Sequence, residues 1–174
     1  MEFKLTSCTV RSWEWRDREA LVRHANNRNV WINLRDRFPH PYTHADARNW
    51  LECVVGVSPE NSFAIAVDGE VVGGIGFTVQ HDVAHRSAEI GYWLGEEFWG
   101  RGIATEALIA VTDYAFANYD LCRLYAHVFD WNPASARVLE KAGYEFEGRL
   151  KKSVTNNGQT IDQLMYAVVR ELNM

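Results

Sequence analysis

Three cysteines, at positions 8, 53 and 122, are too few and too scattered to form a disulfide framework, and they suit a reducing compartment. No apolar run approaches the roughly 20 residues that span a bilayer, so no membrane partner is expected. The start, Met1-Glu2-Phe3-Lys4, lacks a basic and then apolar signal region, which makes a cytoplasmic location the expectation. A surplus of basic residues is missing too. The formal net charge of -5 argues against non-specific nucleic-acid binding, which depends on cationic surface. Internal repeats, low-complexity tracts and long linkers are also absent. The 174 residues, 47% hydrophobic and 24% charged, therefore read as one globular domain over 1–174, large enough to bury a core without staples.

What is present is concentrated around residue 100. Gly91-Tyr92-Trp93-Leu94-Gly95 reads as the end of a strand, and Glu96-Glu97-Phe98-Trp99-Gly100-Arg101-Gly102 as a turn into a helix that starts at Ile103-Ala104. Gly100 and Gly102 let backbone approach a ligand with no Cβ in the way. The first free N–H groups of the helix point into the same space, and its dipole favours negative charge there. Arg101 adds a planar, permanently charged set of donors suited to phosphate. Together these make a pyrophosphate cradle. Two nucleotide motifs fail on spacing. A P-loop needs Lys and a hydroxyl where Arg101-Gly102 stand, and a dinucleotide fingerprint needs a third glycine where Thr105 stands.

The remaining pattern alternates sheet and helix. Strands are expected over Leu5–Arg11, Ser62–Val67, Val71–Gln80, Arg86–Leu94, Cys122–Phe129, Tyr144–Val154 and Gln159–Arg170. Asp68-Gly69 and Asn156-Asn157-Gly158 are hairpin turns. Helices are expected over Asp17–Asn26 and from a Thr43 cap to Val55, with Asp46 at the capping-box position. Another follows the cradle, with Ala104, Ala107, Leu108, Val111 and Ala115 on one stripe. A short one is bracketed by Asn132-Pro133 and Gly143. A strand, a long helix and a strand over residues 86–129 predict a parallel step inside an otherwise antiparallel start.

About thirty residues after the cradle comes Asn132-Pro133-Ala134-Ser135-Ala136-Arg137-Val138-Leu139-Glu140-Lys141-Ala142-Gly143-Tyr144. The two segments, in this order, resemble the coenzyme A-binding motifs of the GNAT N-acetyltransferase superfamily, and most closely its RimJ/RimL-like branch. Phe38-Pro39-His40-Pro41-Tyr42-Thr43, Ala88-Glu89-Ile90-Gly91-Tyr92-Trp93-Leu94 and Glu147-Gly148-Arg149-Leu150-Lys151 resemble other parts of that branch. The resemblance implies an α/β (α+β) fold: a mixed, mostly antiparallel central sheet with one parallel, splayed strand pair, flanked by helices. It implies acetyl-CoA as co-substrate and direct transfer to a primary amine. It places coenzyme contacts at Leu94, Trp99, Gly100, Arg101, Gly102, Ile103, Ala104, Asn132 and Lys141. Asn132 and Lys141 also have plain structural readings, as a helix N-cap and a C-terminal charge.

A neutral amine must attack the thioester, so an α-amine of pKa near 8, or a polyamine-type amine near 10.4, must first lose a proton. Glu89 is the candidate acceptor of that proton. Strand alternation puts it on a face with Ser87, Gly91 and Trp93, where burial beside Trp93 would raise its pKa. Ser135 is the candidate for protonating the leaving thiolate or holding the coenzyme. A tyrosine often stands in the superfamily where this chain has Leu139, which leaves Tyr166 and Tyr125 as reserve acids. Trp99 replaces a commoner Gln or Arg, as in the RimJ/RimL-like branch. His81, Asp82 and His85 lie in a loop rather than on a helix, so no metal site is expected. Trp13, Trp15 and Trp31, near Arg28 and Arg35, are either core or the wall of an acceptor groove. The acceptor is expected to be a protein or peptide N-terminus. A polyamine or aminoglycoside, which would use carboxylates such as Asp36, Glu96 and Glu97, stays open, as does a non-catalytic coenzyme A sensor. The protein is expected to be a monomer or homodimer.

Overall fold

Eight strands form one sheet in the order β1-β2-β3-β4-β5-β6-β8-β7 in the computed structural model, which describes residues 1–171. The strands are β1 (Glu2–Lys4), β2 (Thr9–Arg11), β3 (Ser62–Val67), β4 (Glu70–Val79), β5 (Ser87–Leu94), β6 (Arg123–Phe129), β7 (Glu145–Asn156) and β8 (Gln159–Val169). Five helices accompany them: α1 (Arg18–Ala25), α2 (Arg28–Trp31), α3 (His44–Val54), α4 (Ile103–Asn118) and α5 (Pro133–Lys141). Every neighbouring pair is antiparallel except β5 and β6. The mixed sheet with one parallel pair matches the expected architecture.

Side-chain alternation, shifted in β4 by a bulge at Val72, sorts the core into two layers. Phe63 and Ile65 of β3, Val72 and Ile75 of β4, and Ala88, Ile90 and Leu94 of β5 face one way, onto Ile103, Ala107, Leu108, Val111 and Ala115 of α4. Ala64 and Val71 face the other way, onto Leu21 and Ala25 of α1, Ala47 and Leu51 of α3, and Trp13. Two-sided burial of this kind needs helices on both faces, and apolar residues at both parities of the strand. The first-turn residue of α4 that enters the core is Ile103 rather than Ala104, which stays half-buried.

Local signals set the turns. Asp68 and Gly69 both have positive φ, 49° and 84°, as the two-residue hairpin requires. Thr43 and Asp46 form the reciprocal capping box that starts α3, with Thr43 Oγ1 accepting from the Asp46 N–H at 3.2 Å. Of the expected strand Leu5–Arg11 only Thr9–Arg11 is strand, as β2; residues 5–8 form a tight turn between β1 and β2, closed by Leu5 N–H to Cys8 O at 2.8 Å. Its cause is remote: Glu106 of α4 accepts from both the Ser7 N–H and the Ser7 hydroxyl, each at 2.9 Å. The buried pair Arg11 and Asp17 then ties β2 to the start of α1 through two hydrogen bonds of 2.9 and 2.7 Å.

The parallel pair positions everything that follows. β5 and β6 are in register only at Ser87↔Arg123, Ala88↔Leu124 and Glu89↔Tyr125. Beyond Glu89 both strands continue, β5 held by β4 to Leu94 and β6 held by β8 to Phe129, but not by each other. The sheet therefore opens into a cleft whose vertex is Glu89 and whose mouth lies where β5 leads into α4.

Candidate functional site

At the mouth of the cleft, a 3-10 turn over Glu96–Phe98 leads through Trp99 to the two glycines. Gly100 and Gly102 have φ of 74° and 81°, a region that costs L-residues about 1–2 kcal/mol. A Cβ at either position would meet no protein atom within 4 Å, so the backbone there borders open space. Gly102 is the N-cap of α4 and supplies no side-chain cap. The first helical bond runs from Glu106 N–H to Gly102 O at 3.1 Å, so the amides of residues 103–105 precede the ladder and remain available as donors. Arg101 is exposed, with its guanidinium 5.2 Å from the Phe98 ring centroid. Among the described residues no carboxylate lies within ion-pairing distance of it. These are the properties of an anion cradle, and a diphosphate fits them.

Leu94 and Ile103 offer only backbone to the cleft. Their side chains are 7% and 3% exposed in the core, and the Leu94 carbonyl already accepts from the Trp99 indole N–H at 2.7 Å. Trp99 thus locks the turn against the end of β5 and leaves its ring half in solvent. On the same side, an open recess is lined by Asn29, Ile32, Asn33, Glu96, Trp99 and Trp131. The two carboxylate oxygens of Glu96 accept from Asn27 Nδ2 and Asn29 Nδ2, both at 2.8 Å.

At the vertex, Glu89 Oε1 accepts from His127 Nδ1 at 3.0 Å and pairs with the Arg35 guanidinium. Burial pushes the Glu89 carboxyl up, but the His127 hydrogen bond and the Arg35 charge outweigh it and hold the carboxyl below its ordinary value. The expectation of a raised value is overturned. Trp93, the supposed desolvating neighbour, lies on the same face but about 13 Å along the strand. It packs on Phe38 instead, with ring centroids 5.5 Å apart. Sequence reasoning missed His127 altogether. The signal was there: in β6, Leu124, Ala126 and Val128 enter the core, so Tyr125 and His127 share the other face, beside Glu89. Burial, and then the Glu89 charge, push the Tyr125 hydroxyl above its ordinary value.

Across the sheet, Asn132 Oδ1 caps α5 by accepting the Ser135 N–H at 3.2 Å. The Ser135 hydroxyl lies 2.9 Å from the hydroxyl of Tyr92, which also donates to the Ser135 carbonyl at 3.2 Å. Burial pushes Tyr92 well above the tyrosine range, so it stays protonated and serves as a donor. Strand alternation puts Tyr92 on the face opposite Glu89, with Ala88, Ile90 and Leu94. Of the reserve acids, Tyr166 is buried and donates to Glu140 at 3.0 Å, which ties it down. Leu139, where a tyrosine was looked for, is fully buried. Lys141 is exposed at the end of α5.

Other candidates fall away. Trp13 is core, Trp15 is exposed and Trp31 stacks on His40 at 5.4 Å. His85 Nδ1 is 2.9 Å from the Asp82 carbonyl. Among the described residues no cluster of three His, Cys, Asp or Glu could hold a metal. Cys8 is buried and its thiol is pushed up to about 11, first by burial and then by Glu106.

With this geometry in place, three comparisons with known proteins are informative. The family described as "Acetyltransferase (GNAT) domain" matches residues 8–145. The uncharacterized N-acetyltransferase p20 of Bacillus licheniformis is 31% identical over 170 residues, 93% of this chain and 92% of the relative. The spermidine N(1)-acetyltransferase of Escherichia coli is 29% identical over 154 residues, 88% of this chain and 81% of the relative. Among solved structures, Mycobacterium smegmatis RimJ in complex with CoA-disulfide superimposes with a TM-score of 0.79 at 29% identity, covering 93% of this chain and 81% of that one.

The lowered Glu89 value has a direct check. A group depressed in the folded state contributes stability above its unfolded pKa, and loses that contribution as pH falls through the folded value. Side-chain NMR should therefore place the Glu89 midpoint below the ordinary glutamate value. In His127→Phe one lowering cause is gone while burial stays, so the midpoint should move up; an unchanged midpoint would remove His127 from the account.

Proposed function

Because the chain belongs to the GNAT acetyltransferase family and uses acetyl-CoA as its acyl donor, we propose that its acceptor is the α-amine of a protein or peptide N-terminus. The observation that carries this choice is that Glu89 at the vertex and Glu96 at the mouth of the cleft are already partnered. Glu89 is met by Arg35 and His127, and Glu96 by two asparagine amides. A polyamine presents several ammonium groups and needs several free carboxylates, whereas a peptide N-terminus presents one. Relatives named for both chemistries exist, RimJ and a spermidine N(1)-acetyltransferase, so the family alone does not choose. On this reading residues 1–174 act as one catalytic domain in the cytoplasm.

The backbone amides of residues 100–104 and the Arg101 guanidinium hold the coenzyme diphosphate, with Trp99 walling the turn. The unpaired edges of β5 and β6 flank the pantetheine arm, and Asn132 and Lys141 border its exit along α5. Acetyl-CoA supplies an acyl group already activated as a thioester. Glu89, ionised at neutral pH, holds the incoming ammonium and takes its proton, directly or through water. As the tetrahedral intermediate collapses and the C–S bond breaks, Ser135 gives a proton to the leaving sulfur and recovers one from the attacking nitrogen, which thereby loses its second proton. Tyr92 can give its one proton to the Ser135 hydroxyl oxygen instead of the carbonyl, and in that arrangement the serine proton is free to point into the cleft. The base and the acid thus sit on opposite faces of the opened sheet, with the reacting bond between them. No acyl-enzyme is needed, since the buried Cys8 thiol is a poor nucleophile at neutral pH.

A mass-shift assay with acetyl-CoA should show short peptides with free N-termini acetylated at least about tenfold more efficiently than spermidine, and Glu89→Gln should cost roughly 10²-fold or more in kcat. Preference for the polyamine would overturn the acceptor assignment, and coenzyme binding without turnover on any amine would favour a sensor. In calorimetry, Arg101→Ala should weaken coenzyme A about tenfold, the scale of one charge-assisted contact; full affinity would move the diphosphate elsewhere. Ser135→Ala and Tyr92→Phe should each lower kcat with little change in the KM for acetyl-CoA, and the double variant should be no worse than Ser135→Ala alone. Additive losses would separate Tyr92 from the serine.

A further inference from the structure

Arg35 is the unexpected member of the site. It comes from the irregular segment 32–43 between α2 and α3, and its side chain is 50% exposed where it meets Glu89, itself 20% exposed. The Glu89 oxygen it holds, Oε1, is the one His127 also holds. If Glu89 receives the acceptor's ammonium, as proposed above, the guanidinium occupies that cation's place and must leave as the amine arrives. No regular element has to break for this to happen.

The backbone beneath Arg35, however, is pinned on both sides. The Leu34 carbonyl accepts from Asn156 Nδ2 at 2.8 Å, and Asn156 is 4% exposed at the tip of the β7–β8 hairpin. Phe38 packs on Tyr42 and Trp93, with centroids 5.1 and 5.5 Å apart. Trp31 is fixed by its stack on His40. The side chain can swing, but its charge stays within reach of the cleft.

We propose that Arg35 is the specificity-determining residue for the acceptor. Its guanidinium reserves the Glu89 oxygen for an ammonium, yields to it, and then repels any second positive charge carried close to the reacting amine. The displaced guanidinium remains a donor. The carbonyl next to a peptide α-amine is an acceptor it can meet, whereas the methylene chain of a diamine offers none. The repulsion acts over less than a Debye length of about 8 Å, partly shielded from solvent, so salt screens it incompletely. The other groups facing Glu89, His127 and Tyr125 from β6, belong to strands and cannot withdraw in this way.

The test uses matched acceptors that differ by one charge. These are butylamine against 1,4-diaminobutane, and two short peptides with alanine or lysine as second residue, assayed with the full chain and acetyl-CoA. The wild type should favour the member with the single charge in each pair. Arg35→Ala should shrink that ratio by at least roughly fivefold, through faster use of the doubly charged member. Arg35→Lys should restore it, and the KM for acetyl-CoA should stay within about twofold because Arg35 lies away from the diphosphate cradle. A ratio unchanged within twofold in Arg35→Ala, or an equal loss for both members, overturns the assignment. The two readings fail separately. Full activity of Glu89→Gln would sink the role of Glu89. A required Glu89 with an unmoved charge ratio would sink Arg35 alone.

Discussion

The interruption of pairing between β5 and β6 after Glu89↔Tyr125 is the constraint on which the rest of the structure depends. Backbone N–H and C=O groups inside a sheet are expensive to leave without partners. Here each strand keeps its outer neighbour through the whole length of the gap, so the opening is held rather than frayed. A gap of that kind asks for an extended ligand with its own amide groups, and the pantetheine arm is such a ligand. It also fixes where chemistry happens. The vertex is the last place where the two parallel strands are paired, and there the chain puts a carboxylate, a histidine and a phenol.

Much of this could be read from the sequence because the rules involved are local. The glycine turn into α4, the Thr43–Asp46 capping box, Asp68-Gly69 and the Asn132 cap each depend on residues within a few positions of one another. What could not be read depends on distant partners. The turn that splits Leu5–Arg11 is held by a carboxylate 99 positions away. The environment of Glu89 is set by Arg35 and His127, 54 and 38 positions away, which reverse the direction of its pKa from the one burial alone would give. Alternation along β6 contained His127 in principle, but only once the parallel register with β5 was known.

On the proposed mechanism the missing tyrosine is a case of one chemical task moving between elements. Position 139 on α5 points into the core and is filled by a fully buried leucine, which carries the packing of that helix. A hydroxyl reaches the cleft instead from Ser135, one turn earlier, and a phenol supports it from the strand beneath. Serine alone is short and has several rotamers. A buried tyrosine that contacts both its hydroxyl and its carbonyl restricts it to one arrangement, which supplies orientation without needing an acidic pKa.

Charge at the cleft is organised against the trend of the whole chain. The protein carries a net charge of -5, which would draw cations to its surface in general. Yet Glu89 and Glu96 are answered by a guanidinium, an imidazole and two amides. Long-range attraction and local selection therefore oppose one another. The field brings amines near without regard to kind, and on the role proposed for Arg35 the vertex admits a positive charge only where it replaces one already there. In such a site the acceptor is chosen less by what it can bind than by how little extra charge it brings, and that criterion favours an α-amine flanked by a neutral amide carbonyl over a chain of ammonium groups.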